Sequence, residues 1–387
     1  MSLFVLAWRA AALSAVLLPA IALAAPVKIG VINSMTGPEA PIGENLTNGI
    51  KLAEEDLKKR GIDLQLVWED DTAKPQISMS AMEKLATRDG VSGVVGPYTS
   101  ATANADAKVA ERYKVPLVVP VASKEEITRQ GLLWTFRLSA TTGDYARILI
   151  DMALALGKPK TIAILNENTD FGVSGAKSAK AIAEKKGIKV VFEEAYSKGS
   201  PDYRSTLLKV KGTSPDLVFM VSYVADAILL MRQSREIGLS PQAFLGAGAG
   251  FAVEQFASEK EISNGVFSST QWTPDVKWAG SKEWAERYEQ RFGKRPTYHA
   301  STAYVSMMVL GEVAAQAGGD RARIQAALKT GKWEGIMGEV TFRDYDGYTN
   351  QAKRPMLVEQ VQNGKHETVW PQSLAARKPI WPFPGWK

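Results

Sequence analysis

The chain has 387 residues, more than one comfortable hydrophobic core holds, so two domains are expected. Hydrophobic residues make up 45% and charged ones 23%, an ordinary globular balance, and the net charge of +6 is spread beside acids, as in "AEEDLKKRG", not gathered into a nucleic-acid stripe. There is no cysteine, which excludes disulfides, thiolate metal sites and cysteine nucleophiles, and the only two histidines, His299 and His366, lie outside any zinc-ligand spacing.

The first 25 residues, "MSLFVLAWRAAALSAVLLPAIALAA", carry one charge, Arg9, then an apolar run and Ala22-Leu23-Ala24 before a cleavage point. This is the pattern of a secretory signal peptide. Pro19 interrupts the run, which is shorter than the roughly 20 apolar residues that a membrane span needs. Loss of the leader with Arg9 takes the charge from +6 to +5. From Val27 onward, short apolar runs alternate with amphipathic segments. "VKIGVI" predicts a strand, and Leu46, Ile50, Ala53 and Leu57 fall at helical spacing, stopped by Gly61. "IDLQLVWED", "VSGVVGP" and "VPLVVP" predict further strands, with helices near 75–89 and 100–114. Such βαβ alternation implies a parallel sheet covered by helices.

The alternation restarts after about residue 142. "TIAILNEN", "IKVVFEEAY", "DLVFMVSY" and "QAFLGAGAG" predict strands, with helices at 171–187, 202–212, 224–238 and 252–258. Two successive runs of one architecture imply two similar lobes. Residues 280–330 read as helical and 338–369 as strands and turns. The end, "VWPQSLAARKPIWPFPGWK", reads as an irregular strap packed by its aromatic side chains on the second lobe.

Enzyme and nucleotide motifs fail one at a time. "GAGAG" at 246–250 begins as G-x-G, but Phe251 stands where the dinucleotide loop needs its last small residue. "FGVSG" at 171–175 is not a G-x-S-x-G elbow, and a triad would have to use one of two distant histidines. "FRDYDGY" at 342–348 lacks calcium-loop spacing and a closing Glu; a tight turn at Asp346-Gly347 is expected there.

One stretch points to binding. "VVGPYTSATANA" at 94–105 ends a strand at Gly96-Pro97 and sets Tyr98, Thr99, Ser100 and Thr102 on the opening turn of a helix. In an open parallel sheet, ligands sit at the carboxyl ends of strands beside helix N-termini, where free N–H groups and hydroxyls favour an anion. A plain N-cap explains Thr99 or Ser100 equally well. A second strand end, "VVPVASKEE" at 118–126, places Ala122 and Ser123 before another helical turn. Two adjacent strand ends rich in donors make one polar cup, and a small carboxylate is its simplest occupant.

With these stretches in order and spacing, the mature chain resembles the periplasmic solute-binding proteins of ABC importers, type I, leucine/isoleucine/valine-binding class. "VKIGVINSMTGPEAPIGENLTNGIKLA", "VSGVVGPYTSATANA", "VPLVVPVAS", "NENTDFG" and "SPDLVFMVSYVADAILLMRQSREIGL" carry the resemblance. It implies an α/β fold of two Rossmann-like lobes with parallel sheets, joined by three hinge crossovers near 140–143, 269–273 and 348–352. Lobe 1 is then 26–141 plus 271–350, and lobe 2 is 142–270 plus 351–387. It further implies that Ser100 holds the solute's carboxylate, that Ala122 and Ser123 add a carbonyl and polar contacts, and that Phe171 and Tyr223 place rings over the solute.

Amino-acid binders of this class carry an acid on the loop after the next strand, to pair with the ammonium. Here that position falls at about Gly248, between Ala247 and Ala249, and Ile42 stands where relatives place an aromatic residue. Burying an ammonium without a partner costs several kcal/mol. Either Asp170 or Glu254 takes over, or the solute has no ammonium. The expectation is therefore an aromatic carboxylate of the benzoate or cinnamate type, in a pocket whose wall includes Tyr98, Phe251 and Trp272. A branched-chain or other hydrophobic amino acid is the alternative, with a sensor domain or a secreted hydrolase behind it. The expected partners are the solute and the permease subunits of an importer, with no cofactor, metal or nucleic acid, and the chain is expected to be a periplasmic monomer.

Overall fold

In the computed structural model, residues 26–386 are described; the expected leader lies outside them. The first run of elements is β1 (Val27–Asn33), α1 (Ala40–Lys59), β2 (Leu64–Asp70), α2 (Pro75–Lys84), β3 (Gly93–Val95), α3 (Ser100–Tyr113), β4 (Leu117–Val119) and β5 (Thr135–Arg137). The second begins with α4 (Thr142–Gly157), β6 (Thr161–Glu167), α5 (Asp170–Lys185), β7 (Lys189–Tyr196) and α6 (Arg204–Gly212). It continues through β8 (Leu217–Val221), α7 (Val224–Glu236), β9 (Ala243–Gly246), α8 (Glu254–Ser258), α9 (Lys260–Ser263) and β10 (Phe267–Thr270). Then follow α10 (Ser281–Phe292), α11 (Tyr298–Gln316), α12 (Arg321–Thr330), the small pair β11 (Trp333–Gly335) and β12 (Gly338–Val340), β13 (Phe342–Tyr345) and β14 (Tyr348–Ala352). The chain ends with β15 (Leu357–Gln362) and β16 (Lys365–Trp370).

These strands form two seven-stranded sheets. One runs β13-β14-β5-β4-β3-β1-β2 and the other β16-β15-β10-β9-β8-β6-β7. Each contains five parallel strands in the order 2-1-3-4-5, so each lobe has a topological switch point beside its first strand. Helices cover both faces of such sheets, which is why their strands read as unbroken apolar runs. All five residues of Leu217–Val221 are fully buried, as are Val94, Val95 and Leu117–Val119.

The chain passes between the sheets after β5, after β10 and after β14. Tyr348–Ala352, where the third crossover was expected, is itself strand β14 of the first sheet, and the passage follows Ala352. The expected turn is present: Asp346 and Gly347 both have positive φ and join β13 to β14. The helix expected at 75–89 ends at Lys84 and continues as a wider π-type turn to Asp89. The aromatic tail straps the second lobe. Phe383 and Trp386 pack at 5.1 and 5.5 Å on Phe244, Trp381 lies 6.0 Å from Phe267, and the Trp386 indole N–H donates to the Leu239 carbonyl at 2.7 Å.

Candidate functional site

The carboxyl ends of β3 and β4 in one lobe face those of β6, β8 and β9 in the other. Gly96 ends β3 at φ +129°, and a Cβ there would lie 2.0 Å from the Ile32 carbonyl oxygen, so only glycine lets the chain leave the sheet here. Tyr98 follows it, and α3 begins at Ser100.

The three hydroxyls of this turn divide their work. Thr99 is the N-cap of α3: its Oγ1 accepts the Thr102 N–H at 3.3 Å and lies 2.8 Å from the Thr102 hydroxyl, which donates to the Thr99 carbonyl. Thr99 and Thr102, expected among the binding groups, are thus committed to the helix start and to each other. Ser100 is different. Its Oγ accepts the N–H groups of Ser123 and Lys124 at 3.3 and 3.2 Å, tying the second strand-end loop to the first. That leaves the Ser100 O–H as a donor. Ala122 and Ser123 are buried beside it, and the Ser123 carbonyl accepts the Thr142 N–H.

The second lobe meets this cup with rings. Tyr223, at the end of β8, packs 5.7 Å from Tyr98 and 5.4 Å from Phe171, and the Ser100 amide reaches its phenol oxygen. His299 closes the group with its ring 5.9 Å from Tyr98. Burial holds the Tyr98 and Tyr223 phenols well above their usual range and the His299 imidazole down at about 3, so all three rings are neutral. The Tyr98 hydroxyl and His299 Nε2 are buried without a partner. His299 was not expected here, because a lone histidine at a helix start gives no sequence signal.

The other expected residues scatter. Gly248, after β9, has φ +62° and ψ −138°, and a Cβ on it would meet the Ser269 carbonyl oxygen and the Tyr145 ring at 3.2 Å. The backbone at the place expected for an acid therefore has glycine's conformation and little room for a side chain. Phe251 is turned into the second lobe, 5.1 Å from Phe256 and stacked on Gly246, away from the ring cluster. Trp272 donates its indole N–H to Ser281 at 2.8 Å and lines an interlobe groove of about 670 Å³. Ile42, Val253, Tyr298, Glu359 and His366 also line that groove, whereas Tyr98, Ser100, Phe171 and Tyr223 do not. With the lobes together, those rings fill the space between themselves.

Three acids act on the Tyr223 ring, Asp170, Glu39 and Glu167, and each has a partner, whereas Glu254 is exposed and lines the groove. Asp170 pairs with Lys124 across the lobes at 2.7 Å, and Glu39 with Lys198 at 2.5 Å. Glu167 accepts from the Thr169 hydroxyl and the Tyr223 N–H at 2.6 and 3.0 Å, and burial raises it from 4.5 to about 7. In the groove, Glu359 Oε1 and His366 Nδ1 lie 3.2 Å apart, and burial raises the carboxyl to about 8 and lowers the imidazole to about 4, so burial disfavours the charged form of each. Among the described residues no group of three or more acids and histidines could hold a metal ion. No helix among them is long and apolar enough to cross a membrane.

The geometry is a two-lobed clamp, with donors on one side and neutral rings on the other. Comparison with known proteins agrees. The periplasmic binding protein family profile matches residues 26–366. Leu/Ile/Val-binding protein homolog 7 of Brucella suis biovar 1 (strain 1330) is 28% identical over 388 residues, covering 95% of this chain and 96% of that protein. The leucine-binding protein LivK of Thermotoga maritima MSB8 matches with a TM-score of 0.82 and 24% identity, over 90% of this chain and 100% of its own. A solute-binding protein of an ABC transporter from Rhodopseudomonas palustris BisB5, in complex with 3,4-dihydroxybenzoic acid, matches at 0.79 and 25% identity, over 89% and 96%. The chain belongs to the periplasmic binding protein family, in its type I, Leu/Ile/Val-binding class.

Proposed function

We propose that this chain captures a small organic acid with an aromatic body and no ammonium group, and delivers it to the permease of an ABC importer. The carboxylate docks on the Ser100 hydroxyl and amide, with Ser123 beside it, and the body lies among Tyr98, Phe171 and Tyr223. Tyr223 packs into that space against Tyr98, Phe171 and the Ser100 amide, so the lobes part about the three crossovers to admit solute and close over it. The secreted-hydrolase alternative falls with the family: the chain is a binding protein and not an enzyme.

The observation that carries the solute class is the state of the acids. Position 248 is a glycine in a conformation hostile to side chains, while Asp170 and Glu39 already hold lysines and Glu167 holds Thr169 and the Tyr223 N–H. These three are the carboxylates whose charge reaches Tyr223, and none of them is left open to an ammonium. The neighbour holding 3,4-dihydroxybenzoic acid supports this reading. An amino-acid reading is favoured by the names of the curated relatives, and it requires Glu167 to give up its present partners.

A thermal-shift panel of aromatic carboxylates, aliphatic keto acids and leucine-type amino acids tests the assignment. A ligand at 100 times its Kd adds about 2.7 kcal/mol. Stabilisation by aromatic acids and not by leucine is the expected result. Stabilisation by leucine or valine instead overturns it.

A further inference from the structure

Lys198 lies on the loop after β7, in the second lobe, and its amine crosses to the first. Nζ is 2.5 Å from Glu39 Oε1, and the Glu39 side chain is only 3% exposed, immediately before α1. The same Nζ stands 4.3 Å from the centroid of the Tyr223 ring. That ring meets Tyr98 and Phe171, and its hydroxyl end meets the Ser100 amide. A protein cation is therefore fixed on the ring that covers the carboxylate donors. Glu167, fully buried, accepts the Tyr223 N–H, and its charged form is favoured by Lys198 and opposed by Glu39.

We propose that Lys198 is the specificity-determining residue of the cleft: its ammonium, held over Tyr223 by Glu39, takes the place an amino acid's ammonium would need and latches the lobes together. The inference rests on the solute reading above and supplies its cause. A cation on an aromatic face in a partly desolvated site is attracted by the ring and by the buried carboxylate. A second ammonium brought to the same ring meets like charge, so the site selects by repulsion as well as by the absence of an acceptor. A carboxylate meets no such penalty. Lys198 also offsets the mutual repulsion of two buried carboxyls, Glu39 on one lobe and Glu167 on the other.

The test uses a matched pair of probes, 3-phenylpropionate and phenylalanine, which differ in the ammonium alone. Isothermal titration is run on the leader-free chain and on Lys198→Met, Lys198→Arg and the double variant Lys198→Met with Glu39→Gln. Wild type and Lys198→Arg prefer 3-phenylpropionate. Lys198→Met moves the ratio of the two Kd values toward phenylalanine by on the order of tenfold, and removing the Glu39 charge as well cancels that gain. A general loss of structure weakens both probes together and leaves the ratio unmoved. A wild type that prefers 3-phenylpropionate, with an unchanged ratio in Lys198→Met, overturns the role of Lys198 alone; a wild type that prefers phenylalanine overturns the solute reading with it. If wild type binds neither probe, small-angle scattering of the ligand-free chain decides. A larger radius of gyration for Lys198→Met than for Lys198→Arg supports the latch, and equal values overturn it.

Discussion

At the scale of single residues, Ser100 has two jobs. Its Oγ orients the Ser123 loop through two accepted N–H bonds, and its O–H is left as a donor, which the proposed function assigns to the solute's carboxylate. Ser100→Ala is therefore expected to weaken carboxylate binding by about 1.5–3 kcal/mol, the worth of a hydrogen bond to a charged group, read as a tenfold to hundredfold rise in Kd by titration calorimetry. Glu167 gives a prediction in pH. Its carboxyl ionises near 4.5 when unfolded and about 7 when folded, so across that window the folded chain binds the extra proton. The stability it supports is present below about pH 4.5 and is lost as pH rises through 7. Wild type loses about 3 kcal/mol from this group over the window, and Glu167→Gln, whose amide can keep both partners, does not. Urea unfolding at pH 5 and pH 7.5 checks it; equal pH dependence in the two proteins contradicts it. Ser100 was legible from the composition of a strand end before a helix, and Phe171 and Tyr223 were legible from the family resemblance; the structure packs Tyr223 against both Phe171 and Tyr98. Glu39, Lys198 and His299 were not. Nothing in "GPEAPIGEN" or "YSKGSP" separates Glu39 and Lys198 from surface charges, since their pairing is made between lobes, with Glu39 buried and Lys198 still partly exposed.

At the scale of elements, α3 shows how one short motif serves folding and binding with different atoms. Thr99 caps the helix and Thr102 ties back to it, which frees Ser100 for the cleft. Thr99→Ala is expected to cost about 1 kcal/mol in urea unfolding while leaving the preference between carboxylate and amino-acid probes unchanged. A changed preference would return Thr99 to the binding set. Most strands and helices followed from periodicity, because parallel strands covered on both faces read as apolar runs and their helices keep one buried stripe. The loop after β9 did not. Its Gly250 sits where a Cβ would collide, 2.4 Å from the Tyr223 carbonyl carbon, and Gly248 and Ala249 both have positive φ, with the Ala249 N–H donated to the Tyr298 hydroxyl at 3.1 Å. That partner comes from α11, far along the chain, and short-range patterns carry no trace of it.

At the scale of the whole molecule, two sheets of the same strand order face each other across one cleft, and the chain crosses between them three times. The doubled architecture was readable from the restart of βαβ alternation after residue 142. The state of the cleft was not, for closure is made by contacts between lobes: Glu39 with Lys198, Asp170 with Lys124, and Tyr223 on Tyr98. Two of these contacts engage Glu39 and Asp170 with lysines, which is what the proposed solute class rests on. The most direct test is isothermal titration of the leader-free chain with benzoate and with isoleucine under identical conditions. Saturable one-to-one binding of benzoate without measurable binding of isoleucine is the predicted result. Binding of isoleucine without benzoate would contradict the account at its centre, by showing that the cleft accepts an ammonium after all.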